Sequence, residues 1–245
     1  MKTEKIGHRK LKRQALELLK GADFQRGLAE LSRFPAKQIV NPLFSFFYNA
    51  DERIKWRAVT AMGVVTAAMA ETDMESARVV MRRLLWNLND ESGGIGWGSP
   101  EALGEIAARS ERLAGEYSGL LISFARKNGS YLEHELLQRG LLWGIGRLFW
   151  ARPHLADDGA ELTAEFLTSR DPVKRGLAAW ALGATGYVPP KAILKKLMAD
   201  EATFDFYFDG DMGVRSVKSV AKGLGPVFAG QGPTDGSAGG PTGSE

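Results

Sequence analysis

The residues whose types and spacing could do chemistry gather in one stretch, Val80 to Ala107 (VMRRLLWNLNDESGGIGWGSPEALGEIA). It sets Trp86, Asn87, Asn89, Asp90 and Glu91 ahead of a glycine-rich loop, and Trp97, Ser99 and Glu101 at its exit. Four uses compete for such a loop. Its freed backbone N–H groups and the helix that follows would suit a phosphate. However, no G-K-[ST] follows, no strand precedes, and Asp90 and Glu91 oppose an anion. Asp90 and Glu91 could instead build a metal or hydrolytic acid site. An aromatic side chain beside open backbone donors and acids is also a usable pocket for a partner or ligand. The fourth use is structural: the glycines permit tight backbone, and Trp97 packs into the next pair of helices.

Little else in the chain offers chemistry. There is no cysteine, which excludes disulfides, thiolate metal sites and a cysteine nucleophile. His8, His134 and His154 are far apart, and His134-Glu135 lacks the second histidine of a zinc-binding helix. Asp209-Gly210-Asp211 starts like a calcium loop, but the ligand series does not continue. No G-x-S-x-G motif is present. No catalytic residue, metal or cofactor is therefore expected.

The elements that must position the loop repeat with a period near 40. Gly63, Gly104, Gly146, Gly183 and Gly223 are separated by 41, 42, 37 and 40 residues. DERIKWRAVTAMG ends at Gly63 and DPVKRGLAAWALG at Gly183, each with Asp at position 0, Ala at +7 and +10, and Gly at +12. DMGVRSVKSVAKG, ending at Gly223, repeats the pattern from Asp211. An Asp at position 0 caps a helix and favours its positive end. Positions +3, +7, +10, +11 and +14 form one buried stripe. Small residues late in that stripe admit a close neighbour, so Gly183 is expected to be far less tolerant of a side chain than Gly159. In the copy ending at Gly104, the first half of the helix is replaced by SGGIGWG. Ser99 is then the natural N-cap, Pro100 the first helical residue, and the shortened helix leaves a notch beside its neighbours.

A period near 40 with two helices per unit marks an α-solenoid. Over residues 35–224 these segments resemble the second helices of HEAT repeats, and the whole chain resembles an uncharacterised bacterial family of HEAT-like proteins. That resemblance implies an all-α, right-handed α–α superhelix of five or six helix pairs. It favours protein binding over catalysis, because HEAT arrays serve mainly as scaffolds. Residues 1–34 read as capping helices of one domain spanning 1–224, and 225–245, with seven Gly and three Pro, as a flexible tail. TFDFYFD (203–209) alternates, with Phe204, Phe206 and Phe208 on one side, and is expected to cover the exposed end of the solenoid.

The net charge of +3 in 245 residues hides an uneven distribution. The first 20 residues carry a net +5 and the last 21 a net −2, so the body between is neutral. A neutral body is a poor platform for a phosphate backbone. Nucleic acid is therefore disfavoured, although some HEAT-like solenoids are DNA glycosylases; Trp86, Asp90, Trp97, Arg147 and Trp180 are the set that could serve such a role. No bilayer-spanning stretch is present, and a cysteine-free chain without a signal peptide fits the cytoplasm. The expected function is a scaffold or adaptor for a protein partner, contacted through Trp86, Asn87, Asn89, Asp90, Glu91, Trp97, Ser99 and Glu101.

Overall fold

The computed structural model describes residues 7–89 and 96–225. Two short helices, α1 (His8–Lys20) and α2 (Phe24–Leu31), precede a series of helix pairs. These are α3 (Ala36–Phe46) with α4 (Glu52–Thr72), α5 (Met74–Asn89) with α6 (Ser99–Arg109), and α7 (Glu111–Ser123) with α8 (Glu135–Ala151). The series continues with α9 (Asp157–Ala164), extended by a 3₁₀ turn, and α10 (Pro172–Gly183). It ends with α11 (Lys191–Met198) and, after a hairpin, α12 (Val217–Ala221). The second helices α4, α6, α8, α10 and α12 pack side by side in that order, with the first helices behind them. This is a HEAT-like α–α superhelix.

The repeat pattern works as the spacing implies at most positions. Asp51 Oδ1 accepts from the backbone N–H groups of Arg53 and Ile54, and Asp171 Oδ1 from that of Val173 (2.9 Å). These are the N-caps of α4 and α10. The buried stripe is wide: in α6 every residue from Ser99 to Ala107 is buried, because the helix is enclosed by α4, α8, α5 and α7. A helix buried all round needs few polar residues, and the small ones let its neighbours close in. At Gly104 an added Cβ would overlap the backbone of Gly144 on α8.

Three expectations are corrected. Ser99 is not the N-cap of α6: that place is taken by Gly98, whose φ of +73° turns the chain into the helix, and Ser99 is the first helical residue. Gly159 is not unconstrained. It is buried, and a Cβ there would lie 3.0 Å from Ile122, tighter than the 3.3 Å from the Gly223 carbonyl at Gly183. The third concerns the last repeat. Asp211 caps no helix, because Asp211–Ser216 is a strand, β2, paired antiparallel with β1 (Thr203–Phe208). Asp209 (φ +49°) and Gly210 (φ +96°) form the two-residue turn, the left-handed pair whose twist matches an antiparallel hairpin. Helix α12 starts five residues later than the repeat frame implies, with a Ser216–Ser219 capping box. The expected tail, beyond Gly225, lies outside the described residues.

The hairpin does not sit at the end of the solenoid. It lies across the face of the second helices. Phe204 packs on Gly176 of α10, Phe206 meets Trp180 edge-on at 5.0 Å, and Tyr207 stacks on Trp56 of α4 at 5.0 Å. Its turn reaches α2, where Gly210 packs against Phe24. Both sides of β1 are therefore used: Tyr207, expected to face away from the phenylalanines, is only 2% exposed.

Candidate functional site

Laying the hairpin over the helices walls off a cavity of about 300 Å³ beside their first turns. Helical spacing sets its lining. From α4, Glu52, Lys55 and Trp56 share one face, at i, i+3 and i+4. From α8, Leu136, Arg139, Gly140 and Trp143 do the same. Val173 and Leu177 of α10 add apolar floor, and Asp205 and Tyr207, two apart on β1, form the wall. The exit of the glycine-rich loop closes the ring with Trp97 and Glu101.

The aromatic wall is fixed by hydrogen bonds. Trp143 Nε1 donates to the Tyr207 carbonyl oxygen (2.9 Å), and the Tyr207 hydroxyl pairs with that of Thr60 (2.7 Å). Trp56 and Trp143 are 4.8 Å apart. Burial pushes the Tyr207 phenol well above its ordinary range. Trp97 is half-buried, with the His134 ring edge-on at 5.4 Å and Lys55 Nζ 5.9 Å from its centroid.

Glu101 is the unusual group. It is 7% exposed, and its Oε2 is buried with no hydrogen-bond partner. Gly140 has no side chain where that carboxylate lies; a Cβ there would meet its oxygens. Burial pushes the carboxyl up to about 7, and Glu101's own backbone N–H and the Lys55 charge only partly oppose this. The consequence for stability has a definite sign. Between the ordinary 4.5 and about 7 the folded protein holds a proton that the unfolded chain has released. Stability therefore falls as pH rises through that window, by about 3 kcal/mol in all. Urea denaturation at pH 5 and pH 8 should show this fall, and Glu101→Gln should flatten it. An identical pH dependence in the two proteins would show that Glu101 is not held neutral.

The expected site residues divide. Trp97 and Glu101 line the cavity. Asn87 Nδ2 donates to Ser99 Oγ (3.4 Å), which ties the end of α5 to the start of α6 behind it. Trp86 is 73% exposed on α5 and does not line the cavity. Asn89 ends α5, and Asp90 and Glu91 lie outside the described residues. Of the alternative nucleic-acid set, Asp90 lies outside the described residues, and only Trp97 lines the cavity. Arg147 is bound to Glu105 (2.6 Å), and Trp180 is buried under the hairpin. The sequence reading missed Trp56, Trp143 and Tyr207. Among the described residues, no group of three or more His, Asp or Glu side chains is placed to hold a metal ion. No described helix is long and apolar enough to cross a membrane.

No family model matches the chain. An uncharacterised protein of Archaeoglobus fulgidus is 30% identical over 106 residues, 43% of this chain, and the chain spans 51% of that protein's length. Among solved structures, a designed armadillo repeat protein aligns at 15% identity with a TM-score of 0.47, over 87% of this chain and 97% of its own. A designed armadillo repeat protein in complex with the peptide (KR)4 aligns at 17% identity and a TM-score of 0.42, over 77% and 87%.

Proposed function

We propose that the chain is a non-enzymatic scaffold or adaptor, and that it holds a protein partner at the cavity between the second helices and the hairpin. Of the 87–99 segment, Trp97 lines that cavity. The observation that carries this reading is the buried, unpaired oxygen of Glu101 in a cavity walled by Trp56, Trp97, Trp143 and Tyr207. An aromatic anchor at a partly open pocket is the usual centre of a recognition site.

Trp97→Ala tests it. Trp97 is half-buried whereas Trp143 is enclosed, so Trp97→Ala should cost about 1–2 kcal/mol against about 3–5 for Trp143→Ala. Trp97→Ala should nevertheless abolish capture of whatever native-lysate protein the unaltered chain retains. Denaturation curves and pull-downs on both variants give the answer. Capture that survives Trp97→Ala would remove the cavity from the binding surface. A stability loss equal to that of Trp143→Ala would make Trp97 a core residue.

A further inference from the structure

Three features of the cavity agree on the charge of its occupant. The first is Glu101. A carboxylate with a buried lone pair that nothing satisfies is costly. A donor brought in by another molecule would relieve that cost. The second is the charge balance. Once Glu101 gives up its proton, Glu52, Glu101 and Asp205 face the cavity as three negative charges against Lys55 and Arg139. Both cations are already engaged, Lys55 Nζ with Glu52 at 3.1 Å and Arg139 Nε with Asp171 at 2.8 Å. Among the described residues, Glu101 and Asp205 are left without an ion pair. The third is the aromatic wall, whose ring faces attract cations.

One feature argues the other way, since helix N-termini attract anions. Here α4 and α10 are capped by Asp51 and Asp171, and the first turns of α4, α6 and α8 carry Glu52, Glu101 and Glu135. An anion would also have to face Glu101 and Asp205. About 300 Å³ is the lower end of the usual range for ligand pockets, roughly 300–1,000 Å³, which suits one side chain.

We infer that the cavity takes the guanidinium of an arginine side chain on the partner protein, with Glu101 as its carboxylate and Trp97 as its aromatic support. This rests on the proposed binding function. Arginine suits the site better than lysine. Its planar fork can donate two parallel bonds to one carboxylate while lying on an indole, and it is the more weakly hydrated cation.

Binding is then linked to pH. In the empty cavity the Glu101 carboxyl is held near 7, and a bound guanidinium requires the carboxylate. A proton leaves as the cation enters, so affinity rises with pH. The other groups facing the cavity are Glu52 and Lys55 from α4, Arg139 from α8, and Asp205 and Tyr207 from β1. His134, at the head of α8, touches Trp97, and α10 contributes only Val173 and Leu177.

The test is calorimetric titration of the full chain with N-acetyl-arginine methylamide at pH 6 and pH 8. The capped arginine should bind about tenfold more tightly at pH 8. The neutral citrulline analogue should not bind. Glu101→Gln should lose both the binding and its pH dependence, and His134→Gln should keep both. Asp205→Asn, on the exposed strand wall, should weaken binding severalfold with the fold unchanged. Equal binding of citrulline, full binding by Glu101→Gln, or binding of capped glutamate or capped lysine in preference would overturn the inference. Two outcomes separate it from the reading beneath it. If the capped arginine fails while Trp97→Ala still abolishes protein capture, the partner site stands and the arginine assignment falls. If free agmatine binds and the capped arginine does not, the inference falls as well, because the cation would then be a small molecule.

Discussion

Gly104→Ala should lower stability by about 1–3 kcal/mol or more, the largest loss expected from adding a single methyl group at the core of the repeat stack. In most helix interiors the same change gains about 0.5–1 kcal/mol, because alanine loses less backbone entropy than glycine. The sign reverses here because α6 and α8 touch backbone to backbone. A Cβ on Gly104 would occupy the place of the Gly144 carbonyl and Cα, and one on Gly144 would meet the Pro100 carbonyl. No side chain can swing aside to make room, so the two helices must separate. The buried residues that flank the contact, Leu103, Ile106, Leu141 and Ile145, would lose packing with it. Gly115 on α7 provides the contrast. It is exposed, and an added Cβ meets nothing within 4 Å. Gly115→Ala should therefore raise the melting temperature slightly while Gly104→Ala lowers it, by about 2–4 °C for each kcal/mol at this size. A Gly104→Ala protein that melts at or above the unaltered chain would disprove the close contact.

The same pair shows how much of the fold was legible in the sequence. The glycine period marks where the second helices meet, and the Asp51 and Asp171 caps follow from their place in the repeat. The partner of Gly104 is nonetheless Gly144, two residues from the Gly146 anchor. A period in the chain fixes which helices stack and leaves the rotation of each about its axis to packing. The hairpin was half legible. Alternation over 203–209 announces a strand, and Asp209-Gly210 is a hairpin turn signal. The repeat frame nevertheless claims Asp211–Ser216 for a helix. Tertiary burial decides the matter: Phe204, Phe206 and Tyr207 can be buried only if β1 has a hydrogen-bonding neighbour, and β2 is the nearest segment able to serve. The cavity was least legible. Trp56 and Trp143 do not stand out in the sequence, because large aromatics at helical spacing usually are core. Glu52, Trp56, Leu136, Arg139, Trp143, Val173 and Leu177 stand at +1 or +2, +5 or +6, and +9 of the repeat. That second stripe could have been found by superposing the repeats. What no repeat encodes is that β1 turns an open face into an enclosed site.

Arg57→Met should be the most damaging polar-to-apolar change among the described residues, costing about 3–5 kcal/mol, because Arg57 fastens the hairpin to the N-terminal helices. Arg57 is 1% exposed, and its guanidinium lies 4.7 Å over the Phe24 ring. Nε donates to the Gly210 carbonyl at the hairpin turn (3.0 Å), and Nη1 to the carbonyls of Leu19 (2.9 Å) and Gly21 (2.7 Å). The last two lie at the end of α1, where helix carbonyls have no partner of their own and the dipole is negative. One cation therefore closes the C-terminus of α1 and the turn of a hairpin nearly 200 residues later in the chain. Burial, with Arg53 nearby, lowers its pKa, and Asp211 and Tyr207 oppose the shift. Methionine fills much of the space but supplies no donor, and each buried carbonyl left bare costs about 1–3 kcal/mol. Arg57→Lys keeps the charge without the planar fork and should fall between the two. Arg53→Met sets the baseline, because Arg53 is exposed and, among the described residues, pairs with exposed Asp211, a contact worth little. Hydrogen exchange should locate the damage: in Arg57→Met, amides of α1 and of 203–216 should lose protection together, while those at the α6–α8 contact keep theirs. If Arg57→Met matches Arg53→Met in its denaturation midpoint, or if the hairpin amides stay protected, then the hairpin is held by its aromatic packing alone. The wall of the cavity would then depend on Tyr207 and its neighbours and not on this clasp.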